Sequence, residues 1–192
     1  MEGTQDTRSP LTTGQGSAAR RHDLESLSRL DAEHLDALYA RGTAPASVGA
    51  LEGHPRGRML AVRALDHGVP ARIVRRLAAA RAFPWGGKSF HGSGTAGTGA
   101  NRVHLFGRHQ LFPFLTSVEP SALDGRPCVA LDYDLLDNPG VIRSIRDEVR
   151  EVDAGLFLGP AMWKTAGGPR LVLWFALDTR AQAHAIGLPK YA

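Results

Sequence analysis

The chain reads as a mainly β protein with some helix (α+β). The expected architecture is an antiparallel barrel or strongly curved sheet with helices packed outside. Three observations carry this. Short runs from Asn101 onward alternate apolar with polar side chains, the period of a strand with one buried face. Turn signals such as Asp124-Gly125, Gly155 and Gly167-Gly168-Pro169 separate those runs. Finally, strands and helices do not alternate in the βαβ rhythm, which argues against a doubly wound sheet or a TIM barrel.

Each element has a local reason. Residues 1–22 are Gly-, Ser- and Thr-rich with few apolar side chains, so they are expected as a disordered tail before one domain over 23–178. Leu24, Leu27 and Leu30 recur at three-residue spacing, and Asp31 is placed to cap a helix through Leu35, Leu38 and Tyr39. Gly42 stands where a left-handed helix end is expected. Arg58–Leu65 reads as a short strand. Pro70 opens a second helix, with Ile73, Val74, Leu77 and Ala78 on one side and arginines on the other. Gly92, Gly94, Gly97 and Gly99 make His91–Ala100 a flexible turn between strands.

Pro127–Leu135 alternates cleanly, with Val129, Leu131 and Tyr133 on one face and Cys128, Ala130, Asp132 and Asp134 on the other. Asn138-Pro139 predicts one long helix before the last two strands, its stripe formed by Ile142, Ile145, Val149 and Val152. Leu156–Lys164 and Arg170–Asp178 are the final strands. The second is apolar on both faces, so it should be covered on both sides. Residues 179–192 read as a C-terminal tail.

The composition, 43% hydrophobic and 22% charged over 192 residues, is that of an ordinary globular domain. A single cysteine excludes an internal disulfide and a Cys-rich metal site. No apolar run approaches the roughly 20 residues of a membrane helix, and no signal-peptide stretch opens the chain. A cytoplasmic protein is expected, with no membrane partner. The formal charge of +4 is uneven: residues 56–108 hold ten basic side chains and one acid, Asp66. Arginine supplies 20 of the 23 cations, which suits an anionic ligand or nucleic acid, although a biased composition and a solvated basic face explain it better.

Candidate chemistry is sparse. Gly87-Lys88-Ser89 lacks the upstream glycine and strand of a phosphate loop. A tight turn into a strand explains it better, with Trp85 at a pocket and Lys88 facing either a ligand or solvent. Asp132 and Tyr133 fall on opposite strand faces. Asp132 could do acid–base work if its face looked inward, and Tyr133 could donate to a bound carbonyl if the other did; alternation forbids both without a bulge. Alternatively, the aspartates face solvent or pair with arginines. Arg143, Arg146, Asp147, Glu148 and Arg150 read as ion pairs on a helix face. The eight histidines show no metal-ligand spacing, so no metal and no cofactor is expected. Cys128 reads as a core residue.

Four segments resemble uncharacterised bacterial proteins of lipocalin-like (calycin-type) fold, and more distantly the GxWxG-type lipocalin-like domains. They are Phe83–Phe90, Asn101–His104, Asp124–Asp134 and Asn138–Gly159. This chain has Gly49-Ala-Leu-Glu-Gly53 where Gly-x-Trp-x-Gly would stand. The resemblance implies a barrel enclosing a pocket for a small hydrophobic metabolite, anionic if arginines contact it.

On that reading Lys88, Asp132 and Tyr133 are the candidate catalytic residues. Trp85, Arg102, Phe114, Trp163 and Trp174 are the candidate ligand-binding residues. The alternative on the same barrel is a cofactor-free cyclase or isomerase for a polyketide- or terpenoid-like substrate. A third reading, nucleic-acid binding through residues 56–108, lacks interleaved aromatics. Exposed strand edges would permit a homodimer.

Overall fold

Two helices precede the sheet: α1 (Leu24–Leu27) and α2 (Ala32–Arg41). The structure, a computed structural model, describes residues 21–62, 85–104 and 106–183. The basic-faced helix expected after Pro70 lies outside those residues, as do most of the two tails. Asp31 caps α2 as expected, accepting the His34 N–H at 2.9 Å. Gly42 is a correction. Its φ of −62° is extended, not left-handed. A Cβ there would press on Arg150 Cβ at 3.0 Å and Glu151 O at 3.1 Å. Glycine therefore serves the close approach of the helix end to the barrel wall.

A 3-10 turn (Val48–Leu51) leads into eight strands: β1 (Pro55–Val62), β2 (Trp85–Ser93), β3 (Ala96–Val103), β4 (His109–Pro120), β5 (Pro127–Asp132), β6 (Ile145–Asp153), β7 (Leu156–Trp163) and β8 (Arg170–Gln182). Each pairs antiparallel with its sequence neighbour, and β8 pairs with β1, so the sheet closes into an eight-stranded barrel. Each strand thus has a paired neighbour on both sides, the β1–β2 seam through Arg56 and Gly87. The last strand extends to Gln182, past the boundary expected at Asp178.

The glycine-rich stretch 91–100 is not a flexible turn. It supplies the end of β2 and the start of β3, with glycines where chains crowd. The long helix after Pro139 is the larger correction. Only one turn is helical, α3 (Gly140–Arg143), and β6 follows. Asn138 does not cap it, because its Nδ2 donates to Pro113 O and Tyr133 O, both at 2.8 Å. Ile145, Val149 and Val152 are β-branched and fit a pleated strand as readily as a helix stripe. Pairing with both β5 and β7 decides the matter by satisfying the backbone on two sides.

Among the described residues two apolar clusters form. Inside the barrel, Phe90, Phe114, Val129, Leu131, Tyr133, Val149, Phe157, Leu173, Phe175 and Leu177 pack together, with Val48 and Leu51 of the 3-10 turn closing one end. Outside, Leu156, Leu158, Trp174 and Ala176 are covered by Leu27, Leu35, Leu38 and Tyr39 of the helices. This is why β8 is apolar on both faces.

A polar layer fastens α2 to the outer wall. Glu148, fully buried, accepts from Tyr39 Oη at 3.0 Å, Ser121 Oγ at 2.5 Å and Ala122 N at 2.8 Å. Arg150 forks onto Asp124 at 2.7 and 2.6 Å. Among the described residues no helix is long and apolar enough to cross a membrane.

Candidate functional site

The end of the barrel opposite the 3-10 turn holds a cavity of about 170 Å³. Its wall is mostly apolar: Met59 (β1), Val103 (β3), Ile145 (β6), Ala161 (β7), Leu173 and Phe175 (β8), with Phe112 and Ile142 toward α3. Four polar side chains interrupt it, namely Lys88, Asn101, Tyr133 and Asp147.

Strand register brings these four together. Lys88 on β2 sits opposite Asn101 on β3. Tyr133 continues the inward face of Val129 and Leu131, and Asp147 shares the inward face of β6 with Ile145 and Val149. The seam between β1 and β2 lets Trp85 lie across the wall. A Cβ on Gly57 would strike Gly87 Cα at 2.4 Å and the Trp85 ring at 2.6 Å, and Gly87 itself has φ +112°. Bulky residues at either position would push the seam apart.

Lys88 is only 2% exposed. Its ammonium donates to Asp147 Oδ2 at 2.8 Å, Tyr133 Oη at 2.5 Å and Asn101 Oδ1 at 2.9 Å. All three N–H bonds are thereby used. The ammonium also lies 5.0 Å from the Phe175 ring centre and 5.3 Å from that of Phe114. Tyr133 donates to Asp147 Oδ2 at 2.9 Å and accepts from Asn101 Nδ2 at 3.1 Å. Trp85 Nε1 donates to Asn101 Oδ1 at 3.0 Å. Burial pushes the Tyr133 phenol well above its usual range and the Asp147 charge pushes it further, so the hydroxyl remains a donor. Burial lowers the Lys88 ammonium from its ordinary value, against the opposing pull of Asp147.

One atom in this cluster is left over. Asp147 Oδ1 is buried and has no hydrogen-bond partner among the described residues. A buried carboxylate oxygen without a donor is costly, so it marks where an incoming O–H or N–H would be favoured.

The expected site residues divide. Lys88, Tyr133, Trp85 and Phe114 come together at the interior. Asp132 does not: its side chain is 53% exposed and pairs with Lys164 at 2.7 Å on the outer surface. Alternation admits only one of the adjacent pair, and Tyr133 takes the inside. Arg102 points outward beside inward Asn101 and Val103, donating to the carbonyls of His54 and Gly86. Trp174 belongs to the outer core against Tyr39, with ring centres 5.4 Å apart. Trp163, half-buried at the end of β7, does not line the cavity.

Sequence reasoning misses Asn101 and takes Asp147 only for one of the ion-pairing charges on a helix face. Read with a period of two, Ile145-x-Asp147-x-Val149 places the aspartate on the core face, a signal hidden by the helix reading. Arg146 pairs with Glu119 at 2.7 Å and Glu148 at 3.0 Å, and Arg143 with Asp134 at 2.6 Å. Cys128 is buried outside the cavity, and its thiol is pushed up to about 12, chiefly by burial. Among the described residues no group of His, Cys, Asp and Glu is arranged to hold a metal ion.

Fold and site together define a closed antiparallel barrel with an internal, mostly apolar cavity that one polar cluster interrupts. No family model matches the chain, and no curated protein matches it. A solved structure of a protein from Thermomonospora curvata is similar at 22% identity. The match covers 80% of this chain and 90% of that one, with a TM-score of 0.49.

Proposed function

We propose that the barrel binds a small, largely apolar molecule whose polar head donates a hydrogen bond to Asp147. The observation that carries this reading is the buried, unpartnered Oδ1 of Asp147, a residue of the mostly apolar cavity wall. An up-and-down barrel of eight strands is the architecture of lipocalin-type carriers, which supports a pocket function. The volume, about 170 Å³, is close to the roughly 150 Å³ that holds benzene in an apolar protein cavity. It therefore suits one ring or a short branched chain, or that portion of a larger molecule.

The head is a neutral donor rather than an anion. Among the described residues the only ammonium on the cavity wall is Lys88, and its three protons are committed to Asp147, Tyr133 and Asn101. A carboxylate ligand would have to displace Asp147 from its own counter-ion. Nucleic-acid binding through 56–108 has less support, because Lys88 and Arg102, two of that segment's cations, are buried.

The test is native mass spectrometry of the purified protein together with titration by an apolar fluorescent dye. A co-purified metabolite, or a dye that wild type binds and Ala161→Leu binds at least tenfold more weakly, supports the pocket. Wild type that carries nothing and binds no dye would refute it.

A cofactor-free cyclase or isomerase is the second reading. It is favoured by the same buried Asp, Tyr and Lys, which a simple apolar carrier would not require.

A further inference from the structure

We propose that the cavity catalyses a ring closure, the addition of a substrate hydroxyl to the conjugated carbonyl of the same molecule. Asp147 moves the proton and Lys88 holds the oxygen on which charge develops. This rests on the pocket reading and deepens it by naming a substrate class, a hydroxy enone with an apolar body.

The argument begins with charge. The resting site holds one negative charge, on Asp147, and one positive charge 2.8 Å away, on Lys88. Both side chains are almost fully buried, at 5% and 3% exposure. In such a site net charge is expensive to create, but moving an existing charge beside a fixed counter-ion costs far less. The ring closure does only that. The hydroxyl binds Asp147 Oδ1. As its oxygen attacks the β-carbon of the enone, a C–O bond forms and the O–H bond breaks to Asp147. The π pair moves through the α-carbon onto the carbonyl oxygen, giving an enolate. Asp147 is now neutral, and the Lys88 ammonium, released from its counter-ion, balances the enolate. Asp147 then returns the proton to the α-carbon. The product is an isomer of the substrate, nothing is oxidised or reduced, and no co-reactant is consumed.

Geometry selects this over a bare carrier. A carrier needs one acceptor for a hydroxyl. Here that acceptor shares its carboxyl group with the ammonium and with the Tyr133 hydroxyl, both on Oδ2. Proton uptake at Oδ1 therefore weakens both bonds at once and frees two donors beside the reacting carbonyl. Asn101 is a positioning residue, bonded to both the Lys88 ammonium and the Tyr133 hydroxyl, and Trp85 Nε1 donates to Asn101 in turn.

The experiment uses the full chain and a linear ω-hydroxy enone that closes to a tetrahydropyran. Closure is followed by loss of enone absorbance, enantiomeric excess by chiral chromatography, and binding by calorimetry. Wild type should accelerate closure and give one enantiomer in excess. Asp147→Asn should bind the enone within about tenfold of wild type while losing about 100-fold or more in rate, the usual contribution of a positioned general base. If Asp147→Asn does not fold, the uncharged pair Lys88→Met with Asp147→Leu keeps an apolar cavity and should show the same loss. An enone that wild type binds but does not close, or that either variant closes as fast as wild type, overturns the ring-closure proposal and leaves the pocket standing. An enone that wild type does not bind overturns the proposal, and the dye titration then decides whether the pocket falls with it.

Discussion

Lys88 Nζ and Asp147 Oδ2 meet at 2.8 Å inside the barrel, two strand-borne charges 59 residues apart in sequence with almost no exposure between them. A buried pair of this kind adds little net stability, because desolvation offsets attraction. Both partners lie on the wall of the cavity.

Removing one partner should therefore be far worse than removing both. Asp147→Ala or Lys88→Met alone is expected to cost about 3–5 kcal/mol by leaving an uncompensated buried group. The double replacement Lys88→Met with Asp147→Leu should recover most of that loss. Urea denaturation of the four proteins measures it, and additive single losses would show that the two groups do not interact.

Two of the three tyrosines should resist ionisation. Tyr39 and Tyr133 are both raised from the ordinary value of 10.0, chiefly by burial. The native state then holds protons that the unfolded state releases above that pH. Stability is thus fully present below it and declines as pH rises further. Ultraviolet titration should show phenolate from these two only as the protein unfolds. Their smooth titration in folded protein near pH 10 would contradict the burial described.

At the acid end the outer wall should matter. The hydrogen bonds from Arg150 lead in lowering the Asp124 carboxyl from 3.8. A lowered folded value gives stability that is present above 3.8 and lost as pH falls through the folded value. Asp124→Asn should lower stability at neutral pH and flatten the acid limb of the stability–pH curve. Parallel curves for the two proteins would show that Asp124 contributes nothing to it.

Much of this arrangement was legible beforehand. Alternation over Pro127–Leu135 separated Tyr133 from Asp132, but no local pattern could say which face looked inward. That required the barrel to close. The double apolarity of β8 implies cover on both sides, but an inner and an outer core look alike in one strand, so it does not tell that Trp174 lies outside the pocket. The segment Ile145–Val152 failed for a sharper reason. Its apolar residues satisfy a helical stripe and a strand alternation at once, and the ion-pair spacing favoured the helix. Only the two neighbouring strands decide it, and with that decision Asp147 moves from a solvated surface to the cavity.

The inner and outer cores should separate in function. Trp174→Phe lies outside the cavity and should reduce thermal stability while leaving dye affinity within about twofold. Ala161→Leu should do the reverse, weakening dye binding with little change in melting temperature, since it fills space on the cavity wall. Equal effects on binding from both substitutions would contradict the placement of Trp174.

The most direct measurement is calorimetric titration of wild type with three single-ring compounds: phenol, toluene and benzoate. Phenol carries a neutral donor, toluene none, and benzoate a negative charge without a donor. If Asp147 Oδ1 is the acceptor that selects the ligand head, phenol binds most tightly, toluene more weakly and benzoate least. Benzoate binding as tightly as phenol, or tighter, would contradict the account.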